Sequence, residues 1–182
     1  MPGEALIRAA LPADAPALTR LALRSKQVWG YDAAFMARCR AELTVTAESI
    51  ATQPTFLLAE AAKPLGFYQL RLEADAADLW LFFVAPEVIG QGVGRRLWHH
   101  LESTARALGT MRIRVDADPN AAGFYVAMGA VRRGDIPSAS IPDRRLPHFE
   151  KRLSRRYAKP SRGTSSPIER ATMPWSPASR SN

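Results

Sequence analysis

Two short segments hold residue types that do chemistry at these spacings. The first runs Val84-Ala85-Pro86-Glu87-Val88-Ile89-Gly90-Gln91-Gly92-Val93-Gly94-Arg95-Arg96-Leu97. An apolar run leads into a turn with alternating glycines, and an apolar row at helical spacing follows. Glycine lets a backbone approach an anion closely. The first amides of a helix have no intrahelical partner, and the helix dipole adds to their attraction for negative charge. Arg95 and Arg96 place cations beside them. On those grounds alone the segment reads as a pyrophosphate cradle. A dinucleotide loop would set G-x-G-x-x-G directly behind the strand, with an acid about 20 residues on. Asp116 and Asp118 fall near that distance. However, five residues separate Val84 from Gly90, and Arg96 and Leu97 stand where a third close glycine belongs. Only about 60 patterned residues follow, too few for the rest of a doubly wound sheet. No Gly-Lys-Ser/Thr occurs, which excludes a Walker A loop.

The second segment is Asp118-Pro119-Asn120-Ala121-Ala122-Gly123-Phe124-Tyr125-Val126-Ala127-Met128-Gly129-Ala130. It resembles the second signature of the GNAT superfamily, the GCN5-related N-acetyltransferases, in which Asn-x-x-Ala-x-x-aromatic-Tyr-x-x-x-Gly-Phe follows the fifth strand. The glycine loop is similar to the first signature, Gln/Arg-x-x-Gly-x-Gly/Ala. The resemblance covers roughly Glu4 to Leu153, with both signatures in the expected order. Three positions depart from it. Ile89 stands where Gln or Arg is usual, which removes a side-chain contact and leaves the backbone cradle. Asp118 stands where Asn is usual. Ile113 takes the strand position where some members carry a glutamate base, so the base is unassigned.

The resemblance implies an α/β (α+β) GNAT fold: a mixed central sheet of about seven strands flanked by about four helices, splayed between strands 4 and 5. It implies acetyl-CoA as cosubstrate, with no metal, and transfer of its acetyl group to a primary amine of a small molecule or protein by direct attack. Phe82, Phe83 and Val84 would lie along the pantetheine arm, with a free backbone N–H there polarising the thioester carbonyl as an oxyanion hole does. Gly90, Gln91, Gly92, Val93, Gly94 and Arg95 would hold the pyrophosphate, and Asp118, Ala121 and Phe124 would complete the cofactor side. Tyr125 matches the tyrosine that protonates the departing thiolate. Trp29, Tyr31, Phe35, Asp116, Ser140 and Arg144 are candidates for the acceptor side, with Ser138 beside them. Asp116, Glu42 and Asp32 are candidate bases or amine anchors. His99 and His100 form no metal set, and His148 stands alone. A homodimer is compatible with all of this.

These residues need elements to hold them. Glu4 to Ala9 reads as a strand. Asp14 is placed to cap a helix over Ala15 to Lys26, and Asp32 to cap another over Ala33 to Leu43, with Cys39 inward. Thr55 to Ala61 and Pro64 to Leu72 read as strands around a turn. Leu79 to Val84 is continuously apolar and therefore central in its sheet. A helix from about Gly92 to Leu108 keeps Val93, Leu97, Leu101, Ala105 and Leu108 on one face. Met111 to Ala117 is a strand and Ala121 to Met128 a short helix. Ala130 to Arg133 and Leu146 to Leu153 supply the last two strands.

Composition sets outer bounds. At 182 residues, 47% hydrophobic and 23% charged, the chain suits one domain and a tail. The longest apolar run, Leu79 to Ala85, is far short of the roughly 20 residues of a membrane span. The start of the chain lacks a basic segment followed by an apolar one, and the single Cys rules out an internal disulfide. A cytoplasmic location is expected, with no membrane partner. The net charge of +8 lies entirely after residue 130: residues 1–130 hold 13 basic and 13 acidic groups, residues 131–182 hold 12 and 4. Residues 1–157 are read as the GNAT domain and 158–182 as a disordered, basic, Ser/Pro-rich tail. A non-catalytic acyl-CoA-binding domain is the alternative, which an intact Tyr125 and glycine loop oppose. A nucleic-acid-binding protein using the basic end is opposed by the balanced charge of residues 1–130.

Overall fold

A computed structural model describes residues 4–154; the proposed tail, 158–182, lies outside the described residues. The order is β1 (Leu6–Ala9), α1 (Ala15–Gln27), α2 (Ala33–Cys39), α3 (Ala47–Thr52), β2 (Thr55–Glu60), β3 (Lys63–Leu72), β4 (Ala77–Val84), α4 (Val93–Ala107), β5 (Arg112–Asp116), α5 (Ala122–Ala127), β6 (Val131–Pro137) and β7 (Arg145–Arg152). The seven strands form one sheet in the order β1-β2-β3-β4-β5-β7-β6. Neighbours are antiparallel except β4 and β5, which run parallel through the α4 crossover. The apolar strand at 79–84 is the middle one, as its unbroken hydrophobicity requires.

Two apolar layers enclose the sheet. On one face Leu97, Trp98, Leu101 and Ala105 of α4 pack with Tyr68, Leu70, Ile113, Val115, Tyr125 and Phe149. On the other, Leu18, Leu21 and Ala22 of α1 and Cys39 of α2 pack with Leu57, Phe67 and Leu81. Each fully shielded Leu contributes about 1.5–3 kcal/mol relative to exposure.

The helical boundaries differ from the sequence reading at three points. A fifth helix, α3, is started by Thr46 and Ser49, whose side chains and backbone amides bond each other reciprocally. The second helix stops at Cys39, although Leu43 remains buried beyond it. Asp14 holds the N-cap position of α1, but its side chain makes no capping bond: the carboxylate accepts from Arg8 at 2.7 and 2.9 Å and from the Leu11 amide at 2.7 Å, pinning the turn before the helix. Asp32 does cap α2, accepting from the Phe35 amide at 2.7 Å.

One irregularity matters for function. Gln69 pairs with Leu81 and Leu70 with Leu79, so Trp80 is an extra residue bulged out of β4. The bulge reverses the alternation. Ala77 and Leu79 belong to the α4 layer before it, and Phe82 and Val84 do so after it, while Leu81 turns to α1. β4 and β5 pair only from Ala77–Ile113 to Leu79–Val115. Past that point a wedge opens, with Trp80 and Asp116 as its first residues.

Candidate active site

The glycine loop lies at the end of β4. Gly90 and Gly92 have φ of +80° and +85°, and Gly92 is the N-cap of α4. A side chain would strain the backbone at Gly92, which is why the helix starts on glycine. The first α-helical bond runs from the Arg96 amide to the Gly92 carbonyl at 3.0 Å. The amides of Val93, Gly94 and Arg95 precede it and remain free to bond an anion. A Cβ on Gly94 would sit 3.2 Å from Cε2 of Phe124, so glycine there lets α4 approach α5. Among the described residues, chain neighbours aside, no atom lies within 4 Å of where a Cβ would be at Gly90 or Gly92, which leaves that edge open. Glu87 would repel an anion, but it is bound by Arg24 at 2.8 Å and Lys63 at 2.9 Å. Its own backbone N–H and Lys63 hold its pKa down to about 2.

Loop and wedge open into one cleft of about 1150 Å³, lined by Phe82, Phe83, Val84, Gly90, Gly92, Gly94, Arg95, Asp118, Ala121 and Phe124 among others. Gln91 and Val93 are not on its wall. The Gln91 amide side chain bonds the Glu87 carbonyl at 3.0 Å, and Val93 is buried in the core. Any contribution of either to an anion is therefore through the backbone.

Tyr125 is held by rings. Trp98, Phe124 and Phe149 lie 5.7, 5.3 and 5.9 Å from it, centroid to centroid. Its hydroxyl has no hydrogen-bond partner among the described residues, although the residue lines the cleft. Burial, helped by the charge of Asp118, raises its pKa above the ordinary phenol value, so the proton stays on the oxygen.

Asp118 is the centre of an ionic cluster that the sequence did not reveal. It accepts from Lys26 Nζ at 2.5 Å, Tyr31 Oη at 2.9 Å, Arg144 at 3.1 Å, and the Asn120 amide and side chain at 2.9 and 3.0 Å. Arg144 and Asn120 also donate to Tyr31 Oη, at 2.7 and 3.0 Å. The Lys26, Asp118 and Arg144 side chains are only 12, 11 and 15% exposed. Burial opposes ionisation of Asp118, but the Lys26 hydrogen bond and charge, with the Asn120 amide and Tyr31, outweigh it and hold the pKa near 2. Tyr31 stacks on Phe35 with centroids 4.0 Å apart, and the Arg144 guanidinium lies 4.8 Å from the Phe35 centroid. Asp118 thus ties the β5–α5 turn to α1 and to the β6–β7 loop. Its lone pairs are taken up by the protein.

The other acceptor-side candidates are spread around the cleft. Trp29, Asp116, Ser138, Ser140 and Arg144 line it; Tyr31 and Phe35 stand behind the wall as members of the Asp118 cluster. Glu42 also lines it and accepts from Ser140 Oγ at 3.0 Å. Asp32 is used as the α2 cap. Ile113 is fully buried in the α4 layer and presents nothing to the cleft. His148 is not alone: its Nδ1 is 2.6 Å from Oδ1 of Asp116, directly opposite it on β5, and both line the cleft. No local pattern marks this pair, because its members are brought together only by the β5–β7 register. Arg71 and Trp80 were also missed; the guanidinium lies 3.1 Å from the centroid of the bulged indole.

The acetyltransferase (GNAT) domain family matches residues 22–136. Comparison with curated protein sequences gave no match. Among solved structures, the chain is similar to a GCN5-related N-acetyltransferase from Rhodopseudomonas palustris, whose description adds "Aminotransferase, Class-II". The identity is 26% over 84% of this chain and 98% of that one, with a TM-score of 0.68. The PaiA N-acetyltransferase of Thermoplasma acidophilum, in complex with coenzyme A, has the same fold at 17% identity and a TM-score of 0.69, over 82% and 99% of the two chains. YncA of Salmonella typhimurium, with its cofactor acetyl-CoA, aligns over 91% and 98% at 18% identity and a TM-score of 0.61.

Proposed function

The chain belongs to the GNAT acetyltransferase family, and we propose that it moves the acetyl group of acetyl-CoA to a primary amine by direct attack within a ternary complex. One observation carries this reading: an unpartnered phenol, Tyr125, lies in the same cleft as an open glycine cradle at a helix N-terminus. Tyr125 Oη is not sealed in the core: it reaches the cleft without a protein partner among the described residues, so its proton is free to meet a ligand there.

Acetyl-CoA supplies an activated acetyl thioester when bound. The free amides of Val93, Gly94 and Arg95 bind its pyrophosphate, and the Arg95 side chain adds charge at the rim. Phe82, Val84, Ala121 and Phe124 give the arm an apolar wall and exclude water. Among the described residues, the β5-facing edge of β4 has no strand paired with it beyond Leu79. Backbone N–H groups in that stretch are available to the carbonyl oxygen, where charge develops. Tyr125 Oη holds a proton that it donates to the departing sulfur. Its raised pKa keeps that proton in place until the C–S bond breaks.

The test has two stages. Acetyl-CoA should raise the melting temperature, because it binds the native state alone. Free CoA release should then be followed across a panel of primary amines, from polyamines to peptides with free N-termini. A thermal shift with no release across the panel would favour an acyl-CoA-binding domain instead.

A further inference from the structure

An alkylamine is an ammonium ion at neutral pH and must lose a proton before its nitrogen can attack. We propose that His148 is the general base for that step and that Asp116 positions it. The inference rests on the acetyl-transfer reading above and assigns its missing proton acceptor.

The geometry singles out this pair. Asp116 and His148 are directly opposed on antiparallel β5 and β7, with Nδ1 to Oδ1 at 2.6 Å. The carboxylate accepts from Nδ1–H, which fixes the tautomer and leaves Nε2 as the bare nitrogen of the neutral ring. Nε2 has no hydrogen-bond partner among the described residues, and the ring lines the cleft at 26% side-chain exposure. Position agrees with chemistry. Asp116 is the first β5 residue past the last β4 pairing, at the mouth of the wedge. Phe149, next to His148, turns to the α4 face and touches Tyr125. His148 therefore points to the opposite face. The base and the proton donor to sulfur lie on the two sides of the gap where the thioester would sit, as attack and departure from one carbon require.

The remaining acids in the cleft are committed or misplaced. Asp118 already has five donated hydrogen bonds. Asp78 accepts from Arg114 at 2.6 Å, and Glu42 from Ser140. Glu73 sits in the turn before β4, at the closed end of the wedge. Around His148 the charged groups are few. On β5 they are Asp116 and, two pairs along, Arg114, which is bound to Asp78; on β6 the opposite residue is Gly134, beside Asp135, which is bound by Arg132. On β7 itself Glu150 is engaged by Arg112, Arg133 and Arg152.

The step balances. One ammonium proton passes to His148 Nε2 and then to water. The freed nitrogen lone pair forms the N–C bond, and the C–S pair leaves with sulfur, which takes the Tyr125 proton. The second proton lost from nitrogen restores the phenol through solvent. The net products are amide, CoA thiol and one proton.

Two measurements test this on the intact chain. In ¹⁵N-histidine NMR, with only three histidines in the sequence, His148 should show a protonated Nδ1 in a strong hydrogen bond and a bare Nε2. That signature should vanish in His148→Gln and weaken in Asp116→Asn. Its absence from the wild type, or its persistence in Asp116→Asn, overturns the pair while leaving acetyl transfer standing. In the second, acetyl-CoA is offered n-butylamine or hydroxylamine at high concentration. Hydroxylamine is already unprotonated near neutral pH and needs no base. His148→Gln should lower kcat/KM for n-butylamine by about 10²–10⁴-fold, with hydroxylamine falling far less and the acetyl-CoA thermal shift retained. Equal losses with both amines would overturn the base and make His148 structural. Turnover of neither amine by wild type would overturn the acetyl-transfer reading and the inference with it.

Discussion

The two halves of the cleft are built by opposite means. The half proposed to bind the pyrophosphate is one contiguous stretch, Ile89 to Arg95, with backbone amides made accessible by glycine. The half proposed for the acceptor is made of side chains from distant segments: Tyr31 and Arg144 meet from positions 113 apart, and Asp116 and His148 from positions 32 apart. The first half depends on the absence of side chains, and the second on charge being balanced side chain by side chain. They should therefore fail differently.

The largest effect is expected where a side chain enters the cradle. Gly92→Asp meets an unfavourable φ of +85°, and Gly94→Asp pushes a Cβ to 3.2 Å from Phe124. Both add negative charge where an anion must sit. Each should abolish the acetyl-CoA thermal shift; unchanged binding in both would mean the pyrophosphate lies elsewhere.

Tyr125→Phe comes next and divides binding from chemistry. The ring contacts remain and the lost hydroxyl has no partner, so melting temperature and acetyl-CoA affinity should stay near wild type. Loss of a positioned acid should lower kcat by about 10²–10⁴-fold. Lost stability with normal kcat would show the hydroxyl to be structural.

In the half proposed for the acceptor, Asp118→Asn removes the carboxylate that pairs with both Lys26 and Arg144. Leaving buried cations unpaired should cost about 3 kcal/mol, read by urea unfolding, while acetyl-CoA affinity changes little. A loss confined to cofactor binding would mean that Asp118 serves the cofactor side after all. The same carboxylate gives a pH signature. Its pKa is lowered from 3.8 unfolded to about 2 folded. The folded state thus binds this proton less readily, and the stabilisation is complete above pH 3.8 and lost as pH falls towards 2. A shift of that size is about 2 kcal/mol. It should be present in wild-type acid unfolding and absent from Asp118→Asn.

The smallest effect sharpens the contrast. Ile89 is 47% exposed at the rim of the cradle. Ile89→Arg adds a cation without altering the backbone and should tighten acetyl-CoA by a few-fold, about 0.5–1 kcal/mol for an exposed charge pair, by calorimetry. A gain of 100-fold would mean that side chains carry more of the anion binding than the amides do.

The sequence by itself determined the strand order along the chain, the long helix, the glycine turn that starts it and the family, and it supplied the roles proposed for that turn and for Tyr125. Each is written in residues close together, as periodicity, glycine placement or a signature. It also marked the three departures, but not what replaces the lost groups. The bulge at Trp80 left no trace within an unbroken apolar run, because its cause is a mismatch in register with β3. Asp118 read as a change in a cofactor contact and proved to be the hub of an ionic cluster. His148 read as solitary and proved to be paired. Such groupings depend on which strands lie side by side and in what register. A one-residue shift of β7 against β5 would turn His148 to the other face. Only the assembled sheet fixes that register, through the packing of Phe149, Val115 and Tyr125 beneath it, and so only the tertiary structure decided the pairings proposed for the acceptor side.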